Sequence, residues 1–327
     1  MASNPEREHA RRLELYSRTA RDIDIRLPDR SFPVSRGASE RQLQRVDRYD
    51  RRARVTDFET LTETGTIRIT FQVTDDEPFE FRPGYFVGIQ AVVPEVGTCR
   101  SPYCIVSLPN PQRTFQLLIR LVPEGPLSYY LAGLRPGDEI AFRGPSGRSM
   151  AAKVGDEELV LLATGVGVGP IIPFVEELGR QGFQRPVHLY WGLRLPEDIC
   201  LVDELDGLVG RYPFFEYQIS LSRPPEGWTG SSGRLTETVP PLLPTLSGKR
   251  FYFVGNGAMI EEMSTVLSDL GVDRQFIYEE VYFNVRYRAD PTVLATIRDA
   301  FSASDLFAPH AHLTAGLFFP ERAKQGR

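Results

Sequence analysis

Only three cysteines occur in the 327 residues of this chain, Cys99, Cys104 and Cys200. They are too few and too widely spaced for a four-thiolate iron–sulfur cluster, and they make no disulfide framework. Histidine is also scarce. His310 and His312 stand two apart without a third candidate ligand, a pattern of surface residues, so no metal site is expected. No basic start followed by an apolar core opens the chain, so a secretory signal is not expected. The one long apolar run, residues 159–175, is broken by three glycines and two prolines, which argues against a membrane span. These absences imply a cytoplasmic protein with reduced thiols.

What is present is the composition of a globular protein, 41% hydrophobic and 25% charged, in a chain long enough for two domains. The net charge of −5 hides an asymmetry. Residues 1–54 hold fourteen arginines against nine acids, which leaves the remainder at −10. An Arg-rich end is a solvated arm or an electrostatic contact, with an acidic partner or with the acidic body of the chain itself. Nucleic acid is a poor partner for an acidic body without a basic stripe.

Residues 1–45 read as a polar N-terminal extension. From 46 the texture changes, and Thr66 to Val73 alternates with period two, as a half-buried strand does. Further strands are expected at 85–89, 103–108, 115–122 and 139–142, bounded by Pro and Gly, and short strands at this spacing predict a small antiparallel barrel over 46–150. After about Gly147 the pattern switches to apolar strands at 159–163, 187–191, 215–221 and 250–254, alternating with helical segments that include 258–270. That alternation predicts an α/β parallel sheet over 151–283. Residues 284–327 form a C-terminal extension with one helix, capped by Asp290 and carrying Leu294, Ile297 and Phe301 on one face. That face packs on the body of the protein or on a second copy, so a homo-oligomer is possible.

Three segments carry chemistry. Arg100, Tyr103, Cys104 and Ser107 offer a cation, a ring, a thiol and a hydroxyl, which alternation would place on one face of a strand with Ile105 on the other. A guanidinium beside a ring suits a flavin nucleotide. Gly125, Leu127 and Ser128 open a short helix whose N–H groups and hydroxyl fit a pyrophosphate, and a capped connector is an equal reading. Thr164, Gly165, Gly167 and Pro170 join an apolar strand to a helix, the arrangement of a dinucleotide site.

These segments, with Arg135-Pro136-Gly137-Asp138, Gly144-Pro145-Ser146-Gly147, the 190–194 run Tyr-Trp-Gly-Leu-Arg, the 254–259 run from Val254 through Gly255 to Met259, and Glu280-Val281-Tyr282-Phe283, occur in the order of the ferredoxin–NADP reductase superfamily. The chain resembles that family over about residues 46–283. The resemblance implies a flavin-binding antiparallel barrel followed by a Rossmann-like pyridine-nucleotide domain, and an FAD-dependent oxidoreductase. It implies that Arg100 pairs with the flavin pyrophosphate, that Tyr103 packs along the flavin, and that Ser107 favours FAD over FMN. Ser128 and its neighbours would complete the pyrophosphate site. Thr164 to Pro170, Gly255 and Met259 would hold the nicotinamide nucleotide. Tyr282 or Phe283 would cover the flavin, with Glu280 close to the nicotinamide. Ser222-Arg223, assisted by Arg194 or Arg234, would meet a 2′-phosphate, which favours NADP(H) and leaves NAD(H) possible.

Three departures from the family pattern stand out. Arg100 lies three residues before Tyr103 rather than two, which implies either a one-residue bulge or a different phosphate contact. Cys104 stands where Ser or Thr usually approaches the reacting ring atoms, and a thiol is the weaker donor. Val254 replaces a cysteine common before Gly255. The resemblance implies catalytic roles for Cys104, Glu280 and Tyr282. The expected acceptor is a separate carrier, a ferredoxin, a flavodoxin or an oxygenase component, which the basic N-terminal arm would contact. A reductase of ferric complexes or quinones, and an electron-wiring subunit of a larger complex, are the alternatives.

Overall fold

Period-two alternation in the first half of the chain becomes a curled antiparallel sheet. The computed structural model describes residues 49–94, 96–122, 125–283, 285–301 and 306–307. The expected extension at 1–45, and His310 and His312, lie outside the described residues. The sheet holds β1 (Arg51–Thr60), β2 (Thr66–Val73), β3 (Tyr85–Val93), β4 (Gly97–Cys104), β5 (Thr114–Arg120) and β6 (Glu139–Gly147), in the order β4-β3-β6-β1-β2-β5. Just past β4, Ile105 bridges Leu117 of β5, so the two outer strands meet. Helix α1 (Pro126–Gly133) links β5 to β6. Inside the sheet, Phe115 is fully buried, with ring centroids 5.2 Å from Phe71, 5.3 Å from Phe79 and 5.6 Å from Phe142. Truncating such a ring to alanine costs about 3–5 kcal/mol, so this cluster is a main anchor of the barrel.

β1 escaped the sequence reading for a physical reason. Its alternation slips between Val55 and Asp57, a bulge that turns Phe58 onto the core side opposite the fully buried Ile69. Arg51 at its start lies over the rings of Phe79 and Phe142, at 5.2 and 5.1 Å, and pairs with Asp75 at 2.9 Å.

The second sheet is wholly parallel and contains β7 (Glu158–Thr164), β8 (Val187–Leu193), β9 (Phe215–Leu221), the two-residue β10 (Ser231–Ser232), β11 (Lys249–Asn256) and β12 (Ile277–Phe283). Their order is β10-β9-β8-β7-β11-β12, so the chain reverses its direction of travel across the sheet between β7 and β11. Helices α2 (Ile171–Arg180), α3 (Val202–Arg211), α4 (Leu235–Thr238), α5 (Gly257–Asp269) and α6 (Pro291–Ala300) accompany these strands. The near-continuous apolar run of β7, buried from Leu159 to Ala163, is what a central parallel strand requires.

The described residues fall into two compact units. The first runs to Lys153 and also takes in 169–182 and 197–208, while the second holds 154–168, 183–196 and the chain from 209 onward. Within the first, Asp198 accepts from Thr64 at 2.8 Å and pairs with Arg120 at 2.9 Å, and Glu204 pairs with Arg68 at 2.8 Å. Within the second, α6 forms as expected, with the Asp290 carboxylate accepting the Thr292 N–H at 2.7 Å. Its apolar face buries Ile297 and Phe301 in the same core as Val266 and Leu267 of α5. The helix thus packs much of that face on α5 of its own chain, with Leu294 only partly buried against it. No helix among the described residues is long and apolar enough to cross a membrane.

Candidate functional site

The register of β3 against β4 runs unbroken from Phe86↔Cys104 to Val93↔Gly97. There is thus no bulge in β4, and the extra residue between Arg100 and Tyr103 is not absorbed. Residues three apart on a strand point to opposite faces, so Arg100 and Tyr103 do not share one. This corrects the expectation of a single functional face. Tyr103 and Ser101 lie opposite Val87 and Ile89, both fully buried, and thus on the core side. Burial, and then the Cys99 thiol, push the Tyr103 phenol above its ordinary pKa. Arg100 and Cys104 lie on the outward face.

Arg100 is exposed, and its Nε donates to Gln90 Oε1 at 2.7 Å. Arg143 on β6 is buried and stands opposite Gly88, where a Cβ would lie 2.9 Å from the Arg143 Nε. The guanidinium carbons of Arg100 and Arg143 lie 5.4 and 5.0 Å from the centroid of the Tyr49 ring. Neither Tyr49 nor Arg143 was singled out from sequence. The β3–β6 register and the missing Cβ of Gly88 bring Arg143 beside Arg100, and the Tyr49 ring lies against both.

Other predicted residues of the first unit take local roles. Ser107 Oγ accepts the Gln116 N–H at 3.1 Å, which ties the end of the motif to β5. At the α1 N-terminus the Ser128 hydroxyl is buried and donates to the Gly125 carbonyl at 2.6 Å, and Leu127 lies in the core at 4% exposure. The expectation that the Ser128 hydroxyl reaches a phosphate is therefore corrected, because the turn itself consumes it. Leu127 has only its backbone to offer.

In the second unit the dinucleotide loop lies at the reversal between β7 and β11. In open parallel sheets that point is where ligands bind, outside the carboxyl ends of the strands. Thr164 ends β7, and Gly165–Val168 forms a 3-10 turn. Gly165 has φ of +54° in open space, whereas Gly167 is packed so tightly that a Cβ would lie 2.4 Å from the Val254 carbonyl oxygen. Gly167 thus admits the β11 backbone, not a ligand, which corrects the simpler reading of that glycine. Pro170, the next motif residue along the chain and already in the first unit, sits at the cap of α2, one residue before the first helical position. Trp191, fully buried on β8, donates from its indole to the Gly165 carbonyl at 2.9 Å and holds the turn.

Thr164 Oγ1 accepts the Asn256 N–H at 2.8 Å, and Asn256 in turn caps α5 by accepting from Ala258 N at 2.8 Å. Gly255 allows this approach, with φ of +124° and a would-be Cβ 2.4 Å from Thr164 Oγ1. Met259, expected at the nucleotide, is 6% exposed and belongs to the core beneath α5. The ends of β8 and β9 zip together, Ser222 N to Leu193 O at 3.0 Å and Arg223 N to Arg194 O at 2.9 Å. Arg194, Ser222 and Arg223 are thereby brought together, all exposed. On β12, Glu280 lies opposite Val254 and accepts from the Tyr278 hydroxyl at 2.9 Å. The β11–β12 register slips after Gly255, so Phe283 faces Asn256 and Tyr282 lies in the irregularity. Phe283 is 44% exposed, and Tyr282 is half-buried.

The residues present fit both expected cofactors. Two guanidiniums on one outward face of the first sheet suit an anionic flavin nucleotide. The capped α5 N-terminus and glycine turn of the second sheet suit a dinucleotide, and among the described residues no cluster of metal-ligating side chains occurs.

The family comparisons agree with this division. The oxidoreductase FAD-binding domain matches residues 53–150, and the oxidoreductase NAD-binding domain matches residues 161–265. The ferredoxin–NAD(P)+ reductase component of the naphthalene 1,2-dioxygenase/salicylate 5-hydroxylase systems of a Ralstonia species is 29% identical over 208 residues, 63% of this chain and 62% of that protein. The chain thus spans under two thirds of that relative. Ferredoxin–NADP reductase B of Sorangium cellulosum is 28% identical over 65% of this chain and 90% of its own length. A crystal structure of a ferredoxin NADP+ reductase from Neisseria gonorrhoeae, with bound FAD and NADP, shares the fold at a TM-score of 0.58 and 22% identity, over 71% of this chain and 98% of that one. With an FAD-binding barrel and an NAD-binding parallel sheet in order on one chain, the protein belongs to the ferredoxin–NADP reductase superfamily of oxidoreductases.

Proposed function

We propose that the chain is an FAD-dependent NAD(P)H oxidoreductase that passes electrons singly to a separate protein carrier, a ferredoxin, a flavodoxin or an oxygenase component. The observation that carries this reading is the pairing of an outward cationic face on the flavin-type barrel with a glycine turn at the reversal point of the parallel sheet. FAD, when bound, supplies the conversion between two-electron hydride chemistry and one-electron steps. The protein's part is to bind and orient. Arg100 meets the flavin nucleotide's phosphates, and Cys104, on the same outward face, is the thiol nearest the motif's end. Thr164, Gly165 and the Asn256-capped helix hold the nicotinamide nucleotide, while Glu280 and Tyr282 shape the nicotinamide end of that site.

Arg194, Ser222 and Arg223 favour NADPH over NADH, since two guanidiniums and a hydroxyl at the end of β8 and β9 match a 2′-phosphate. The relatives named for dioxygenase systems favour an oxygenase-linked acceptor. Residues 46–150 and 151–283 are the proposed functional domains, flanked by extensions. The test is anaerobic mixing of the flavin-loaded chain with NADPH or NADH, followed by addition of an acidic ferredoxin or of ferricyanide. Bleaching by NADPH and fast reoxidation by ferredoxin support the reading. Failure of both nucleotides to bleach the flavin sinks it, and fast reoxidation by ferricyanide alone turns it into a small-acceptor reductase.

A further inference from the structure

We propose that Trp191 is a positioning residue of the nicotinamide-nucleotide site. Its indole N–H latches the Gly165–Val166 peptide in the orientation that turns the Val166 N–H toward the pyrophosphate of the nucleotide. This rests on the NAD(P)H reading above and deepens it.

Two neighbouring strands build the latch. Trp191 of β8 stands opposite Ala163 of β7, and the chain enters the glycine turn two residues beyond Ala163. Residues opposite one another share a face, so the indole lies on the Ala163 face of the sheet. There it is fully buried, and its Nε1 donates to the Gly165 carbonyl at 2.9 Å. An indole has one donor and no acceptor, and a buried one needs a partner. The Gly165 carbonyl is that partner. A trans peptide is planar, with its C=O and N–H pointing in opposite directions. Because the Gly165 carbonyl turns toward the buried ring, the Val166 N–H of the same peptide turns away from it. That direction leads to the half-buried side of the turn, beyond the carboxyl ends of the strands, where a nucleotide binds.

Packing does not fix this peptide plane. Gly165 has φ of +54°, and a Cβ added there would meet nothing within 4 Å, so neither a side chain nor a neighbour hinders its rotation. Gly167, two residues on, is by contrast wedged against the Val254 carbonyl. The turn is therefore held by contact at Gly167 and by the indole bond at Gly165. Reversing the Gly165–Val166 peptide would strip the buried indole of its acceptor. It would also aim a carbonyl oxygen at an anionic phosphate, which repels it. A phenylalanine at 191 would fill much of the same space and leave the peptide free to turn over. The N–H of the indole, and not its bulk, is what selects the binding orientation.

The experiment titrates the flavin-loaded full chain, unsubstituted and as Trp191→Phe, with NADP+, NAD+ and adenosine 2′-monophosphate by calorimetry. Both dinucleotides carry the pyrophosphate, so whichever of them binds should bind Trp191→Phe about three- to tenfold more weakly. Adenosine 2′-monophosphate, which lacks the pyrophosphate, should bind as before, and so should FAD, which is held by the other unit. In steady-state kinetics the KM for the reduced nucleotide should rise by the same factor while kcat holds. Unchanged dinucleotide affinity overturns the proposal. An equal loss for adenosine 2′-monophosphate or for FAD also overturns it, because it marks general damage. Where Trp191→Phe fails to fold, the benzothiophene analogue of tryptophan, introduced at 191 alone, removes the donor and keeps the bicyclic shape, and the same results decide. Absence of NADP+ and NAD+ binding by the unsubstituted chain overturns the nucleotide reading itself, and this inference with it.

Discussion

The side-chain oxygen of Thr164 accepts the backbone N–H of Asn256 at 2.8 Å, and so joins the loop after β7 to the loop after β11. The bond ties the two halves of the proposed nicotinamide-nucleotide site together beyond the end of the β7–β11 pairing. Thr164→Val keeps the shape and removes the acceptor. It should cost about 1–3 kcal/mol of stability, the penalty of a donor left unsatisfied. Denaturant unfolding checks the cost, and NADPH titration should show weaker binding while FAD affinity stays unchanged.

Gly167→Ala tests how tightly those loops pack. The added methyl meets the Val254 carbonyl oxygen at 2.4 Å, a backbone atom that cannot swing aside. Overpacking of this kind costs about 1–3 kcal/mol. A lower melting temperature and a raised KM for NADPH are expected. A variant with unaltered stability would show that the loops separate freely.

Arg223→Ala addresses nucleotide choice. Loss of one charge-assisted contact to a 2′-phosphate should raise the KM for NADPH about 10- to 100-fold. The KM for NADH should stay where it is. Steady-state kinetics with both nucleotides decide the matter, and equal effects on the two would remove Arg223 from the specificity site.

Asp75 makes stability depend on pH. Burial by itself raises its pKa, but the Arg51 guanidinium and the Arg52 and Glu77 backbone N–H groups outweigh burial and hold the carboxyl below its ordinary value. A carboxylate depressed in the folded state contributes stability above its unfolded pKa and loses it as pH falls through the folded value. Asp75→Asn should therefore be destabilised by about 1–3 kcal/mol at neutral pH, from a broken ion pair at half-buried positions. The gap to the unsubstituted chain should close below about pH 4. Thermal melts across that range provide the check.

Cys104→Ser restores a hydroxyl where a thiol stands. A hydroxyl is the stronger donor, so reduction of bound flavin by NADPH should speed up. Within the span of one neutral hydrogen bond, about 0.5–1.5 kcal/mol, that is a few-fold to about tenfold. Stopped-flow absorbance measures it. A slower variant would assign the thiol a role of its own.

Much of this architecture was legible in the sequence. Thr66 to Val73 and Phe215 to Leu221 emerged as strands with the boundaries read from alternation and from apolar run length. β1 was not legible, because the slip between Val55 and Asp57 breaks the period and its remaining positions are mostly charged. In the site, the glycine turn and the Ser222-Arg223 pair were visible as local motifs. What local reading could not supply is which face a side chain takes once strands are in register. Tyr103 turned inward and Arg143 joined Arg100 for that reason. Gly167 was recognised as special and assigned the wrong neighbour, since only the β11 backbone explains it.

β12 has one more consequence. Among the described residues it is the outermost strand of the parallel sheet, whereas the opposite margin ends in a strand only two residues long. The barrel seals its own margins where Ile105 meets Leu117. A long unpaired strand is a template for intermolecular pairing, and proteins blunt it with charge. Here the charge comes from Glu279 and Glu280, set among Ile277, Tyr278, Val281, Tyr282 and Phe283. Glu279 is itself paired with Arg274 at 2.7 Å, and Glu280 accepts from Tyr278. The guard on this margin is thus a set of paired charges, and removing Arg274 would unsettle it as surely as removing Glu279.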